Sequence, residues 1–274
     1  MASFLDARRH GGRWLLRMED LDTPRVVPGA ADAILRTLEA HGLEWDETVL
    51  WQSARLTAYE AALERLRSEG RLYACDCSRR ETTGAYPGTC RARTDVPSPH
   101  ALRFRLGPAA LQFRDRWQGA RHYDPVRLGD PVVRRRDGLF AYQLAVVVDD
   151  VHQRITDVTR GADLLDSTPW QLALFEALGA PSPRYAHSPV VTEPDGRKLA
   201  KSRRSIAVDC TAPGENLFGS LHLLGQSPPA ELARATAAEI LLWAQLNWNP
   251  QVLENRAEIA AREMFGSQAL LVLR

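Results

Sequence analysis

Lysine is nearly missing from this sequence. Of 274 residues, 33 are arginine and only two are lysine, Lys198 and Lys201, three positions apart. Arginine fills almost every other cationic position. Two lysines kept side by side therefore point to a task for a compact ammonium that a broad guanidinium does not do. An excess of charge is missing too. The net charge of +1 excludes an overall pull toward nucleic acid and leaves only local basic faces. Those faces are Arg134-Arg135-Arg136, Arg79-Arg80 with Arg91 and Arg93, and Arg203-Arg204. Phosphate backbones reward such groups, but most charge runs are simply solvated. No apolar run approaches the length of a membrane span, and Met1-Ala-Ser-Phe-Leu has none of the features of a secretory signal. Cysteine is sparse: four residues, three of them between Cys75 and Cys90. That excludes a disulfide framework and reads as a metal site in a reducing compartment, hence a cytoplasmic protein.

What is present is ordinary globular material, 45% hydrophobic and 25% charged, enough for one sizeable core plus an insertion. The chain is organised around residues 139–178. The apolar run Leu144-Ala-Val-Val-Val148 stops at Asp149-Asp150 and reads as a strand buried on both faces of a parallel sheet. A second strand is expected over Ile155 to Thr159, ending at Arg160-Gly161. Ser167-Thr168-Pro169 then caps a helix that Gly179 stops. Ligands bind outside the carboxyl ends of strands in open α/β sheets, so Tyr142, Asp149, Asp150 and Arg160 are candidates for a site.

Elsewhere, residues 1–10 read as the tail of a helix. Arg13 to Met18 reads as a strand ending in the acids Glu19-Asp20-Leu21-Asp22. Helices are expected from Pro28 to Ala40, with Ala31, Ile34, Leu35 and Leu38 on the buried face, and from about Thr57 to Ser68. Leu72 to Cys75 suits a short strand, Thr82 to Pro99 a loop, and residues 102–136 several short strands. One or two helices follow over 228–247, with a weak helical tail beyond Asn249.

Two constellations carry chemistry. Cys75-x-Cys77 and Cys90 supply three thiolates within sixteen residues, three of the four ligands of a closed tetrahedral zinc site. No histidine lies inside the cluster, so Asp76, Tyr86 and a residue from elsewhere all remain open as the fourth. Lys198-Leu-Ala-Lys201-Ser202, after the turn Pro194-Asp195-Gly196, suits a mobile clamp for charge developing on a phosphate.

In order, Arg17-Met-Glu-Asp-Leu-Asp22, Leu50-Trp-Gln-Ser53, Cys75-x-Cys77, Phe140 to Asp150, Thr159-Arg-Gly-Ala-Asp-Leu164 and Lys198 to Ser202 resemble the motifs of class I glutamyl-tRNA synthetase catalytic domains. The likeness spans roughly residues 2 to 225. It is nearest to the short branch of that family that activates glutamate with ATP and attaches it to the queuosine base of tRNA(Asp). The form Cys-x-Cys…Tyr-x-x-x-Cys, and only 72 residues after Ser202, favour that branch.

The resemblance implies an α/β fold: a Rossmann-like parallel sheet with an inserted zinc-binding subdomain and a short helical C-terminal region. Residues 1–70 and 137–205 would form the two halves of the catalytic domain, 71–136 the zinc-bearing insertion and 206–274 the helical end. It also implies that Glu19 holds the amino group of glutamate, Tyr142 lines its pocket and Arg160 pairs with a carboxylate. Lys201, with Lys198, would serve ATP and its Mg. Tyr86 would join Cys75, Cys77 and Cys90 on zinc, in a monomer.

Ala200 stands where the family usually has serine. The family's first strand and its His-x-Gly-His-like ATP motif have no counterpart after Met1. A chain lacking them would activate glutamate far more slowly than one extended upstream. The competing readings are a non-catalytic RNA-binding remnant and a catalytic fragment of a tRNA(Glu)-charging enzyme.

Overall fold

The structure is a computed structural model that describes residues 1–78, 81, 85–192, 208 and 210–260. The first half of the chain runs α1 (Ala2–Arg9), β1 (Arg17–Met18), α2 (Ala30–Ala40), β2 (Leu50–Trp51), α3 (Leu56–Ser68) and β3 (Leu72–Cys75). A run of short elements follows: β4 (Ala101–Phe104), β5 (Leu111–Asp115), β6 (Gly119–Tyr123), α4 (Pro125–Leu128) and β7 (Val132–Arg134). The second half has α5 (Tyr142–Gln153), β8 (Asp157–Gly161), α6 (Thr168–Ala177), β9 (Arg184–Ser188), β10 (Val190–Thr192), α7 (Pro213–Leu223), α8 (Ala237–Asn247) and β11 (Glu258–Ala260).

Pairing separates two kinds of structure. β1–β2, β8–β9 and β10–β11 are parallel, the α/β part of the fold. β3, β4 and β7 form an antiparallel sheet, and β5 and β6 a separate hairpin that packs against β9 and α6. Cys75 ends β3, and Cys77 and Cys90 lie in the segment between β3 and β4.

Two apolar cores hold the molecule. In one, Leu63 and Leu66 of α3, Phe104, Val133, Leu144 and Val147 of α5, and Leu174 and Phe175 of α6 pack together. In the other, Phe4 and Leu5 of α1 meet Leu217 and Leu221 of α7 and Ile240 and Leu241 of α8. Fully burying one such side chain is worth about 1.5–3 kcal/mol, so α5 rests on its apolar residues and needs no side-chain N-cap.

That helix corrects the central expectation. Leu144 to Val148 is not a strand: it is the middle of α5. A short apolar run buried on several sides carries no period to separate strand from helix. Asp149 and Asp150 are likewise buried within the helix rather than exposed beyond a strand. Three smaller corrections accompany it. Of Arg13 to Met18 only Arg17–Met18 pairs as strand. The apolar stripe of α2 buries no residue, and Ile34 is exposed. Among the described residues after Asn249, a 3-10 turn forms at Pro250–Leu253 and then β11 adds to β10. The Thr57–Ser68 and Thr168 helices and the Leu72–Cys75 strand form where expected, with α3 starting at Leu56.

Candidate active site and cysteine centre

A cleft of about 820 Å³ opens between α1, β1, α5 and β8. It lies within the range of small-ligand sites. Glu19 follows β1, Tyr142 opens α5 and Arg160 lies in β8, and all three line this cleft. The expected Asp150 joins them, with Arg17 and Gln153, which were not named as site residues. Arg17 reaches Asp150 of α5 and also donates from Nε to Gln153 Oε1 at 3.1 Å. Arg17 stood inside the quoted motif, but nothing local marked its partner, since the two are 133 positions apart.

The charges at this end of the cleft sort themselves. Arg17 and Asp150 pair with each other. Glu19 and Arg160 form no ion pair with any of the described residues. Arg160 spends its donors on neutral acceptors: Tyr142 Oη at 3.2 Å, Thr168 Oγ1 at 2.8 Å, Leu164 O at 3.3 Å and His187 Nε2 at 3.0 Å. The cleft lining thus holds Glu19, Arg160 and the exposed Arg154 without an ion-pair partner among the described residues. Glu19 is exposed in the open cleft, yet surrounding protein displaces enough water to raise its pKa, with Arg17 opposing and Asp150 and Asp149 reinforcing. Burial raises Asp150 as well, against the pull of Arg17. Tyr142 is pushed up by burial, so its hydroxyl stays protonated.

The neighbouring acids are structural. Asp149 is fully buried and accepts from Gln52 Nε2 at 2.8 Å, Arg55 Nε at 2.6 Å and Tyr59 Oη at 2.9 Å. Asp20 accepts from Ser53 N at 2.8 Å and Ser53 Oγ at 2.6 Å. These bonds tie the segments after β1 and β2 to α5, and so explain why the Gln52-Ser53 pair stands in its motif.

The second constellation forms as expected at the end of β3. The sulfurs of Cys75, Cys77 and Cys90 all lie within 4.8 Å of one another, with Cys77 and Cys90 at 3.5 Å. Ligands 2.3 Å from a tetrahedral ion sit roughly 3.8 Å apart, so this spacing suits a shared metal. Tyr86 Oη lies 3.5 Å from Cys75 Sγ and accepts from the Cys90 backbone N–H at 2.8 Å. Asp76 Oδ1 also stands beside the set, 3.6 Å from Cys90 Sγ. Burial together with the adjacent Cys90 and Cys75 sulfurs pushes Cys77 up to about 11. Burial also raises Cys75, but hydrogen bonds from Tyr86 and Arg103 outweigh it and leave the thiol lowered. Arg103 donates to Cys75 Sγ at 3.2 Å and lies over the Tyr86 ring. The cluster can hold a metal ion. Gly129 keeps its loop close: at φ +73°, a Cβ there would stand 2.5 Å from Tyr86 N.

Lys198, Lys201 and the turn before them lie outside the described residues, as do Arg79, Arg80, Arg203 and Arg204.

Residues 1–250 match the family described as "tRNA synthetases class I (E and Q), catalytic domain". A glutamyl-Q tRNA(Asp) synthetase of Ectopseudomonas mendocina is 51% identical over 268 residues, 96% of this chain and 91% of that one. Another, of Pseudomonas aeruginosa, is 52% identical over 253 residues, 91% of this chain and 86% of its own. The chain belongs to this family. Among solved structures, a glutamate tRNA ligase from Elizabethkingia meningosepticum in complex with its amino acid superposes with a TM-score of 0.75 at 22% identity. One from Elizabethkingia anophelis gives 0.76 at 22%. They cover 98% of this chain, which spans 65% and 66% of their lengths. The class I synthetase catalytic-domain fold expected from the motifs is the observed one. No helix among the described residues is long and apolar enough to cross a membrane.

Proposed function

We propose that this chain activates L-glutamate with ATP and transfers the glutamyl group to the queuosine base of tRNA(Asp). The observation that carries the reading is the pairing pattern of the cleft. Arg17 and Asp150 neutralise each other, which leaves Glu19 and Arg160 facing the same space. An amino acid is the complementary ligand: its ammonium goes to Glu19 and a carboxylate to the Arg160 guanidinium on its Nη1 side, with Tyr142 against its body. Relatives near 50% identity that bear the glutamyl-Q name support the choice of glutamate and of the RNA.

Activation joins the α-carboxylate of glutamate to the α-phosphate of ATP and expels pyrophosphate. Lys198 and Lys201, with Mg, meet the charge that develops there. An acceptor group on queuosine then displaces AMP. Positioning and electrostatic stabilisation do the work, without a covalent enzyme intermediate.

Cys75, Cys77 and Cys90, with Tyr86 fourth, hold one structural zinc that orders residues 71–136. Residues 1–70 and 137–205 form the catalytic domain and 206–274 the C-terminal region of a cytoplasmic monomer. The test is transfer of radiolabelled glutamate to queuosine-bearing tRNA(Asp) and to tRNA(Glu) in parallel. Label on the first alone is expected. Label on tRNA(Glu) alone overturns the reading in favour of a tRNA(Glu)-charging fragment, and label on neither favours a non-catalytic remnant.

A further inference from the structure

The guanidinium assigned above to substrate does not stand by itself. Arg160 and His187 are register partners on the parallel strands β8 and β9, so both side chains leave the sheet on one face. Arg160 Nε lies 3.0 Å from His187 Nε2. His187 Nδ1 in turn lies 2.6 Å from Asp115 Oδ2. His187 is 0% exposed and Asp115 1%. Asp115 sits at the end of β5, outside the strands that build the cleft, and its other oxygen accepts from Gln118 N at 2.8 Å and Trp117 N at 3.0 Å. Thr168 Oγ1 completes the cluster, 2.8 Å from Arg160 Nη2 and 3.3 Å from His187 Nε2.

Only one protonation pattern satisfies this geometry. An arginine has donors and no acceptor, so the nitrogen facing Arg160 Nε–H must be the bare one. His187 then carries its proton on Nδ1, where Asp115 accepts it. A carboxylate behind an imidazole fixes its tautomer and orientation, and the imidazole fixes what stands in front of it.

We propose that Asp115 and His187 are positioning residues for Arg160. Through a set tautomer, they hold its guanidinium with Nη2 on Thr168 and Leu164 and with Nη1 turned toward Tyr142 and the cleft, ready for the carboxylate of the amino acid. This rests on the reading of Arg160 as the carboxylate-binding group. It assigns to the hairpin of β5 and β6 a role in amino-acid affinity, although the hairpin touches no substrate.

The test is glutamate and ATP binding by calorimetry, with thermal melts, on the full chain and its variants. Asparagine at 187 can keep an N–H toward Asp115 but offers no acceptor to Arg160, whereas glutamine can place its carbonyl near the old Nε2. His187→Asn should weaken glutamate about tenfold and leave ATP affinity unchanged, and His187→Gln should recover most of the loss. Asp115→Asn presents an N–H to Nδ1 and forces the other tautomer, so it should reproduce the His187→Asn loss. The double variant should be no worse than either single one. Arg160→Ala separates the two claims. If it loses glutamate while His187→Asn binds normally, the positioning proposal falls and the Arg160 reading stands. If Arg160→Ala binds glutamate normally, both fall. Equal losses in His187→Asn and His187→Gln would reduce His187 to packing and overturn the proposal. Where a variant fails to fold, ¹⁵N–¹H correlations on the unmodified protein decide: His187 must be protonated at Nδ1 and bare at Nε2, and any other state overturns it.

Discussion

The amino-acid cleft and the cysteine centre solve opposite electrostatic problems. In and behind the cleft, unlike charges from distant segments cancel: Arg17 meets Asp150 in its wall, and Arg55 meets the buried Asp149 behind it. Its walls are built on helices and strands backed by large apolar cores. In the cysteine centre, like groups crowd together, and the buried cluster around them is only Tyr73, Cys75, Tyr86 and Cys90. The difference teaches where each region draws its order. The cleft is held by the chain itself and waits for a ligand. The cysteine loop has too little apolar surface to hold three ionisable sulfurs together, and a bound dication is the natural compensation.

The sharpest way to break this contrast is to remove the metal ligands. Structural zinc is worth on the order of 10 kcal/mol in small domains. The Cys77→Ser, Cys90→Ser double variant should fall from about one zinc per chain to almost none by metal analysis, and hydrogen exchange should show residues 71–136 unprotected. Full zinc retention would refute the site.

Next in size is Arg160→Ala. Truncating one partner of a hydrogen-bonded charge pair costs about 2–5 kcal/mol, so glutamate affinity should drop at least thirtyfold. Because Arg160 is bonded to neutral groups, the melting temperature should move only slightly. A large loss of stability with little change in affinity would reverse the comparison and make Arg160 a structural residue.

Gly129→Ala should come third. Its positive φ and the close approach to Tyr86 N leave no room for a methyl group, and such strain costs about 1–3 kcal/mol. Zinc should be held more weakly, as read by competition with a chelator, while glutamate affinity stays near its original value. Loss of both would mean that the two regions are not independent.

The smallest effect is on pH dependence. A raised pKa keeps Glu19 protonated to higher pH than an ordinary glutamate, so the carboxylate proposed to bind the ammonium is lost as pH falls through that raised value. Glutamate affinity should decline on acidification with a midpoint above the usual carboxylate range. Glu19→Gln should bind more weakly at neutral pH, by about tenfold, and lose that slope. An unchanged slope would assign the titration to another group.

Much was legible from sequence because its signals are local. Helix α3 is punctuated by Gly70 and α6 by Pro169 and Gly179, all within a few residues. The cysteine centre was legible for the same reason: all its sulfurs lie within sixteen positions. Glu19, Tyr142 and Arg160 were reached only through the resemblance of their motifs. No spacing links them, and the fold alone carries them to one cleft.

By itself, then, the amino-acid order determined the family, most short elements and the metal-ready cluster, since each depends on neighbours along the chain. Tertiary structure decided what depends on neighbours across it. It made Leu144 to Val148 a helix, because burial on several sides erases the period that would tell helix from strand. It left the stripe of α2 without a buried residue, since an apolar face is buried only where another element covers it. It also paired Asp115 with His187 across 72 positions, because a buried imidazole and a buried carboxylate must find each other where water cannot reach them.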